Sequence, residues 1–311
     1  MYRSFKVAVS LGIGILTAGC DDVIDISIPD TATVVNVDAW VTDKPEDQII
    51  YLNRTQNYFE NSLLPPGIKG ADVTVTDDNG NAYVFMEDST LTSGGYRWKY
   101  TGEPLVKTGR TYTLQISSNG EIYTATSRAG RVPGIDSISF YYHKGAAQVD
   151  DRYSAEFWAK DLPGTGDSYR IKTYRDGILL NRPDEINIAY DAGTSIGSGL
   201  DGITFYETVR SKITPTETGS EGEEVSPISW GDTLRVEIHS LTDASYAYLS
   251  EVILQTNKAG GLTEILTATP FVNVSTNIRS AGGTKCTGFF NAGTVSTYTR
   301  QLLTGSYITV K

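Results

Sequence analysis

Hydrophobic and polar residues alternate with a period of two along much of this chain, which is the pattern of strands with one buried face. In Thr33–Thr42 ("TVVNVDAWVT"), Val35, Val37 and Ala39 share one face, and Asn36, Asp38 and Trp40 share the other. Gln48–Arg54 ("QIIYLNR") predicts a second strand. Beyond Pro65, Pro66 and Gly67, Val73 and Val75 alternate with threonines. Asn79-Gly80 then supplies the residues of a type I′ hairpin turn, and "AYVFM" returns. "GGYRWKY" predicts another strand, and "TYTLQISSNGEIYTATS" a second hairpin. In that hairpin Tyr112, Leu114 and Ile116 share a face, Asn119-Gly120 turns the chain, and Ile122 and Thr124 return. About seven short strands separated by turn signals predict an immunoglobulin-like β-sandwich over residues 33–130. Arg128–Gly134 ("RAGRVPG") reads as a linker.

Residues 131–311 predict a larger β-rich domain. It opens with the strands "DSISFYYH", "YSAEFWAKD" and "SYRIKTYRDGILL", the last turned at Asp176-Gly177. Residues 181–231 include "AGTSIGSGLDG" and "TPTETGSEGEE" and read as long loops. "DTLRVEIHS" restores strand alternation, with Arg235, Glu237 and His239 on its polar face. One amphipathic helix follows: Thr242 caps it, Asp243 suits its first turn, Tyr246, Leu249 and Ile253 share a face, and Gly260-Gly261 stops it. The remainder, through "GFFNAGTVSTYT", reads as strand. Trp40, Trp98, Trp158 and Trp230 lie in or beside strands and are expected in the core.

The first residues obey a different pattern. Arg3 and Lys6 precede an apolar run from about Val7 to Ala18, too short to span a bilayer alone. Small residues Ala18 and Gly19 then precede Cys20, so residues 1–19 read as a lipoprotein signal peptide and residues 20–32 as a lipidated tether. The match departs from the usual form at Thr17, where leucine is common; Leu16 lies one place further out. Acyl chains on Cys20 would supply the two or more anchors that stable attachment needs. Asp21 and Asp22, directly after the cysteine, resemble the surface-export signal of Bacteroidota lipoproteins. The expected location is the outer membrane, lipid-anchored and facing the cell exterior.

Composition narrows the partners. Removal of residues 1–19 would leave 24 basic against 37 acidic residues, a net charge of −13. Such a surface repels phosphate backbones, so no nucleic acid is expected. Besides Cys20 the chain has only Cys286, which leaves no intramolecular disulfide and no thiol cluster for zinc.

Candidate chemistry is sparse. Gly193–Gly197 ("GTSIG") fits the nucleophile-elbow pattern around Ser195, but the following "SGLDGITFYE" is not a helix, and His143 and His239 are poor partners. Asp77, Asn79, Asn81 and Asp88 reproduce part of a calcium-loop spacing, with Ala82 where glycine is required. Glu221, Glu223 and Glu224, like Asp150-Asp151, read as solvated loop charge. No catalytic residue, metal ligand or cofactor is expected. Tyr58 and Phe59 sit in a polar, proline-flanked loop and are candidate ligand or partner contacts.

The ordered series "DDVIDISIPDTATVVNVDAWVTD", "YLNRTQNYFEN", "IKGADVTVTDDNGNAYVF", "GGYRWKY", "TGRTYTLQISSNGEIYTATS" and "RVPGIDSISF" resembles a domain-of-unknown-function family of Bacteroidota outer-membrane lipoproteins. "SLTDASYAYLSEV", "NVSTNI" and "GFFNAG" extend the resemblance, with Gly288-Phe289-Phe290 where the family more often has Gly-Tyr-Phe. The resemblance implies an N-terminal sandwich, a larger β-rich domain, and genes beside starch-utilisation-type TonB-dependent transporters. It carries over no catalytic residues. It also implies possible O-glycosylation at Thr31, Ser89, Ser137 and Thr233, each preceded by aspartate.

The expectation is a non-enzymatic accessory of TonB-dependent uptake that binds a nutrient, glycan or peptide, or the transporter itself. The alternatives are a structural or adhesion module binding other proteins, and a hydrolase using carboxylates that the sequence does not single out. A deep aromatic-lined cleft favours ligand capture, a flat apolar patch protein docking. Two carboxyl groups facing each other across a cleft would favour the hydrolase.

Overall fold

The alternation in the first predicted strand becomes architecture directly. In β1 (Val35–Thr42), Val35, Val37, Ala39 and Val41 are buried, while Asn36, Asp38 and Trp40 point to the other side. The structure is a computed structural model that describes residues 33–56, 65–88, 96–145, 151–214, 227–256 and 274–310. The fold is mostly β, as the alternation predicts.

β1 pairs antiparallel with β2 (Gln48–Arg54), and β2 with β5 (Arg97–Tyr100). β5 pairs with the end of β4 (Ala82–Asp88), whose first half pairs instead with β3 (Asp72–Asp77). From β3 the ladder continues to β6 (Thr111–Ser118) and β7 (Glu121–Arg128). β4 thus passes from one layer into the other. The layers share one core, to which Val37, Ile50, Leu52 and Trp98 contribute from one side and Val73, Val75, Leu114 and Ile116 from the other. Trp98 is wholly buried and satisfies its indole by donating to the Ala71 carbonyl at 3.1 Å.

Strands from near the end of the chain complete this sandwich. β14 (Arg279–Ser280) pairs with β7, and β15 (Cys286–Gly293) runs parallel to β1 from Val35–Cys286 to Thr42–Gly293. Residues Thr33–Lys311 accordingly form one compact unit. The sheet changes near residue 130, where the linker was expected, but the chain returns to the first sheet for β14 and β15 and then leaves it again.

A second core lies among β8 (Ile135–His143), β9 (Arg152–Ala159), β10 (Ser168–Arg175), β13 (Thr233–Leu241) and β16 (Val295–Gln301), where Phe140, Phe157, Tyr169, Ile171 and Val236 are buried. β17 (Tyr307–Val310) runs parallel along β8, and β11 (Ile178–Leu179) and β12 (Asn187–Tyr190) flank β10. The described parts of the expected 181–231 loop region are more ordered than the composition implies. They contain β12 and the short α1 (Glu207–Arg210), and Phe205, Val209 and Ile213 anchor them in this core.

Turn chemistry explains one departure. Asn119-Gly120 and Asp176-Gly177 both have positive φ at each residue (51° and 79°, 51° and 83°), as type I′ requires. At the β3–β4 hairpin only Gly80 does (86°). The Gly80 N–H donates to the Asp77 carbonyl, and the Asp77 N–H donates to the Asn81 carbonyl. The loop is therefore three residues long, with glycine in the left-handed position of a bulge. The Asp77 carboxylate selects it by accepting the Asn79 and Asn81 N–H groups, both at 2.9 Å.

The predicted helix is α2 (Asp243–Thr256). Thr242 Oγ1 accepts the Ser245 N–H at 3.1 Å and Ser245 Oγ accepts the Thr242 N–H at 2.7 Å, a reciprocal cap. Tyr246 and Leu249 are buried and Ile253 is half-buried. Gly260-Gly261 lies outside the described residues. The tryptophans correct the core expectation: Trp98 alone is fully buried, Trp40 and Trp158 are half-buried, and Trp230 is 48 % exposed.

Gly288 holds the β1–β15 pair together. Its φ is +91°, and a Cβ there would lie 1.9 Å from the Val37 carbonyl oxygen. Gly288→Ala is expected to destabilise the fold by about 2–5 kcal/mol in urea unfolding, combining backbone strain with overpacking. Gly80→Ala, equally left-handed but with open space around it, should cost only about 1–2 kcal/mol. Equal losses at the two sites would contradict the close-approach argument.

Candidate functional site

The outer face of β1 is the wall of a cleft of about 600 Å³. Asn36, Asp38 and Trp40 line it together with Arg170 and Lys172 of β10 and Tyr248, Leu249 and Val252 of α2. Ile49, Tyr51, Leu179 and Ile186 add apolar and aromatic surface. Trp40 packs 6.1 Å from Phe289 and 6.3 Å from Tyr248, and the latter two rings stack at 4.8 Å. The Arg170 guanidinium sits 5.7 Å from the Trp40 ring and donates to Asn181 Oδ1 at 3.2 Å.

Asp38 keeps contact with solvent through the mouth of the cleft. Protein nevertheless surrounds it closely enough that burial raises its carboxyl pKa, against the opposing charges of Arg170 and Lys172. Burial and then the like charge of Arg170 push the Lys172 ammonium down to about 8, with Glu237 and Asp38 pulling the other way. Among the described residues, Lys172 makes no side-chain hydrogen bond or ion pair.

The reason lies across the sheet. β13 pairs with β10 so that His239 opposes Arg170, Glu237 opposes Lys172 and Arg235 opposes Tyr174. Glu237 is completely buried. Its carboxylate accepts from Lys44 Nζ and Arg235 at 2.7 Å each, from His239 Nε2 at 2.9 Å and from the Tyr174 hydroxyl at 3.3 Å. Those four donors use its acceptor sites, and none remains for Lys172. Burial would raise the Glu237 pKa, but hydrogen bonds from His239 and Lys44 outweigh it and hold the group at about 2. Burial drives His239 down to about 3, so the ring is neutral and carries its proton on the nitrogen facing Glu237. Lys44 and Arg235 therefore balance the buried charge. Lys44 lies two residues beyond the end of β1, so this contact fixes the cleft wall to the sheet that carries Arg170 and Lys172.

Several candidates named from sequence lie elsewhere. Cys20, Asp21, Asp22, Thr31, Tyr58, Phe59 and Ser89 fall outside the described residues. Ser137 and Thr233 are half-buried on strands β8 and β13 and do not line the cleft. Ser195 is in an exposed turn after β12 with no helix behind it. His143 is bonded to Ser154 and His239 to Glu237, so no triad forms around Ser195. Asp77 is taken up by its own hairpin and by Arg110 at 3.4 Å. Asp151 accepts the Tyr142 hydroxyl at 2.5 Å.

Three other carboxylates, Asp161, Asp191 and Asp201, bring an oxygen each within 4.8 Å of one another. All three already accept backbone N–H groups, from Gly202, from Gly166 and Asp167, and from Gly164 respectively, and Asp161 also accepts the Tyr169 hydroxyl. This arrangement folds the loop between β9 and β10 against the segment after β12. Sequence reading missed the cleft altogether. Its only signal was that Asn36, Asp38, Trp40, Arg170 and Lys172 lie on strand faces opposite the apolar ones.

Glu237→Ala removes the counter-charge of two neighbouring cations and should destabilise the protein by about 3–5 kcal/mol. The pH dependence has one sign. Glu237 gives stability that is present above its ordinary value of 4.5 and lost as pH falls toward 2. Below pH 6.5 the unfolded chain protonates His239, which the folded chain resists down to about 3. Denaturant midpoints should therefore fall from about pH 6.5 downward, and Glu237→Ala should flatten the part below pH 4.5. A midpoint unchanged between pH 6.5 and pH 3 would contradict the electrostatic assignment.

Among the described residues no helix is long and apolar enough to cross a membrane. Comparison with curated proteins finds no match. The family model described as domain of unknown function DUF4249 matches residues 21–299, which include every residue that lines the cleft. With nearly the whole chain covered, the protein belongs to the DUF4249 family.

Proposed function

We propose that this protein is a non-enzymatic, lipid-anchored outer-membrane lipoprotein of a Bacteroidota cell that captures a nutrient at the cell surface for a TonB-dependent transporter. The observation that carries the reading is the cleft of about 600 Å³, which combines aromatic walls with a few converging polar groups. Its size and lining are those of small-molecule sites. Asp38 is the only carboxylate among the described residues that line it, which supports binding over two-carboxylate hydrolysis. The "LTAGC" sequence ending in Cys20, with Asp21 and Asp22 after it, supports acylation and surface export.

A second reading, protein docking, rests on a different place. Tyr142, Tyr153, Trp230 and Tyr307 cluster at 5.1–5.7 Å beside the edge strand β17, where Ile308 and Val310 are exposed. This patch suits contact with another protein in the envelope.

Purification of the native protein from outer membranes, followed by mass spectrometry, tests the proposal. The expected result is an acylated N-terminal Cys20, a transporter in the same complex and a small molecule retained with it. A free thiol at residue 20, or recovery of the protein alone and ligand-free, would contradict it.

A further inference from the structure

A cation pair with no direct ion-pair partner among the described residues faces the cleft. Arg170 and Lys172 are two residues apart on β10, so their side chains leave the same face of the strand. Arg170 bonds only to the neutral Asn181 side chain and the Trp40 ring, and Lys172 to nothing among the described residues. The nearest carboxylate behind them, Glu237, is saturated by Lys44, Arg235, His239 and Tyr174. The carboxylate across the cleft, Asp38, forms no ion pair with either cation. Holding two cations together in a partly desolvated place without direct partners costs free energy. Sites that bear such a cost are where ligands bind.

We infer that the cleft binds the carboxylate of a small ligand between Arg170 and Lys172, with the ligand's ring or apolar body against Trp40, Tyr51 and Tyr248. This rests on the ligand-capture reading above and names the chemical class. Charge selects a carboxylate over a phosphate: two cations against the one Asp38 carboxylate complement a single negative charge better than two. The protein as a whole is acidic, with a net charge of −11, so this cationic floor is a local exception to its surface. A uronic acid and a free peptide C-terminus both carry this chemistry, and both fit the volume.

Isothermal titration of the full folded protein tests it with four probes. These are a methyl galacturonoside, its methyl ester, an N-acetylated aromatic tripeptide with a free carboxyl, and its C-terminal amide. At least one acid should bind, and its neutral counterpart should bind at least about tenfold more weakly. Which acid binds identifies the source. Lys172→Met should lose about tenfold or more, while Lys172→Arg retains binding. Lys172→Met also removes an unpartnered, half-buried cation, so its thermal midpoint should be unchanged or higher, which separates lost binding from lost folding.

The groups facing Lys172 are Arg170 on its own strand, Asp38 on β1, Lys44 after β1, Glu237 and His239 on β13 and Tyr248 on α2. Acid affinity should fall as pH rises from 7 to 9, as Lys172 loses its proton near 8. Lys172→Arg keeps its charge through that range, so the fall should be steeper in the wild type than in the variant. Equal binding of acids and neutral counterparts would overturn the ligand class and leave the cleft reading standing. Undiminished acid binding by Lys172→Met would overturn the site. No binding of either acid up to about 10 mM would overturn the inference; a ligand retained by the native complex would still uphold capture.

Discussion

The carboxylate of Glu237 is the contact on which the geometry of the cleft depends. It is the meeting point of Lys44 from the end of β1, Arg235 and His239 from its own strand, and Tyr174 from β10. A buried carboxylate is costly unless its acceptor sites are filled and its charge is balanced. Four donors fill them here, and two cations balance it. One consequence is mechanical: β1 is tied to the β10–β13 ladder from the side opposite its hydrophobic core. The other is electrostatic. Because Glu237 is fully engaged, Arg170 and Lys172 on the neighbouring strand are left to face the open space.

The two walls of the cleft therefore come from different cores. β1 buries Val37 and Ala39 in the sandwich, and β10 buries Tyr169 and Ile171 in the second cluster. Each strand turns its alternate residues toward the other. α2 closes the arrangement through Tyr246 and Leu249, and its Tyr248 joins the aromatic packing of Trp40 and Phe289. The parallel pairing of β15 with β1, which needs Gly288 for its close approach, places Phe289 under that packing. Packing, charge and cleft shape are thus set by the same few strands.

Local chemistry was readable from sequence to the extent that it depends on near neighbours. Alternation identified the two faces of β1, Asn119-Gly120 identified a two-residue hairpin, and Thr242 identified the start of α2. The turn at Asn79-Gly80 was misjudged by one residue because the Asp77 side chain, rather than the dipeptide, decides its geometry. The return of β15 to β1 was not legible, since a pairing across some 250 residues leaves no periodic trace in either segment. Order within residues 181–214 escaped for another reason: Phe205, Val209 and Ile213 do stand four apart, but the helix between them is a single turn, too short for a spacing to stand out among Gly- and Ser-rich neighbours.

The cleft was invisible for a physical reason too. A polar strand face has the same pattern whether it meets water or another sheet, so nothing in the sequence singles out Asp38, Arg170 and Lys172. The same holds for Glu237 and His239, whose polar face turned out to be buried against Lys44 and Tyr174. The proposed acylation of Cys20 is the opposite case, because the sequence pattern that suggests it is wholly local and owes nothing to the fold.

The state of Lys172 joins these parts, since burial in the cleft and then the charge of Arg170 beside it depress its ammonium, against the pull of Glu237 and Asp38. Titration of the lysine side chains by NMR, with Lys172→Arg used to assign the resonance, measures it directly. The account predicts a pKa of about 8, and a Lys172 that titrates near the ordinary 10.5 would contradict it.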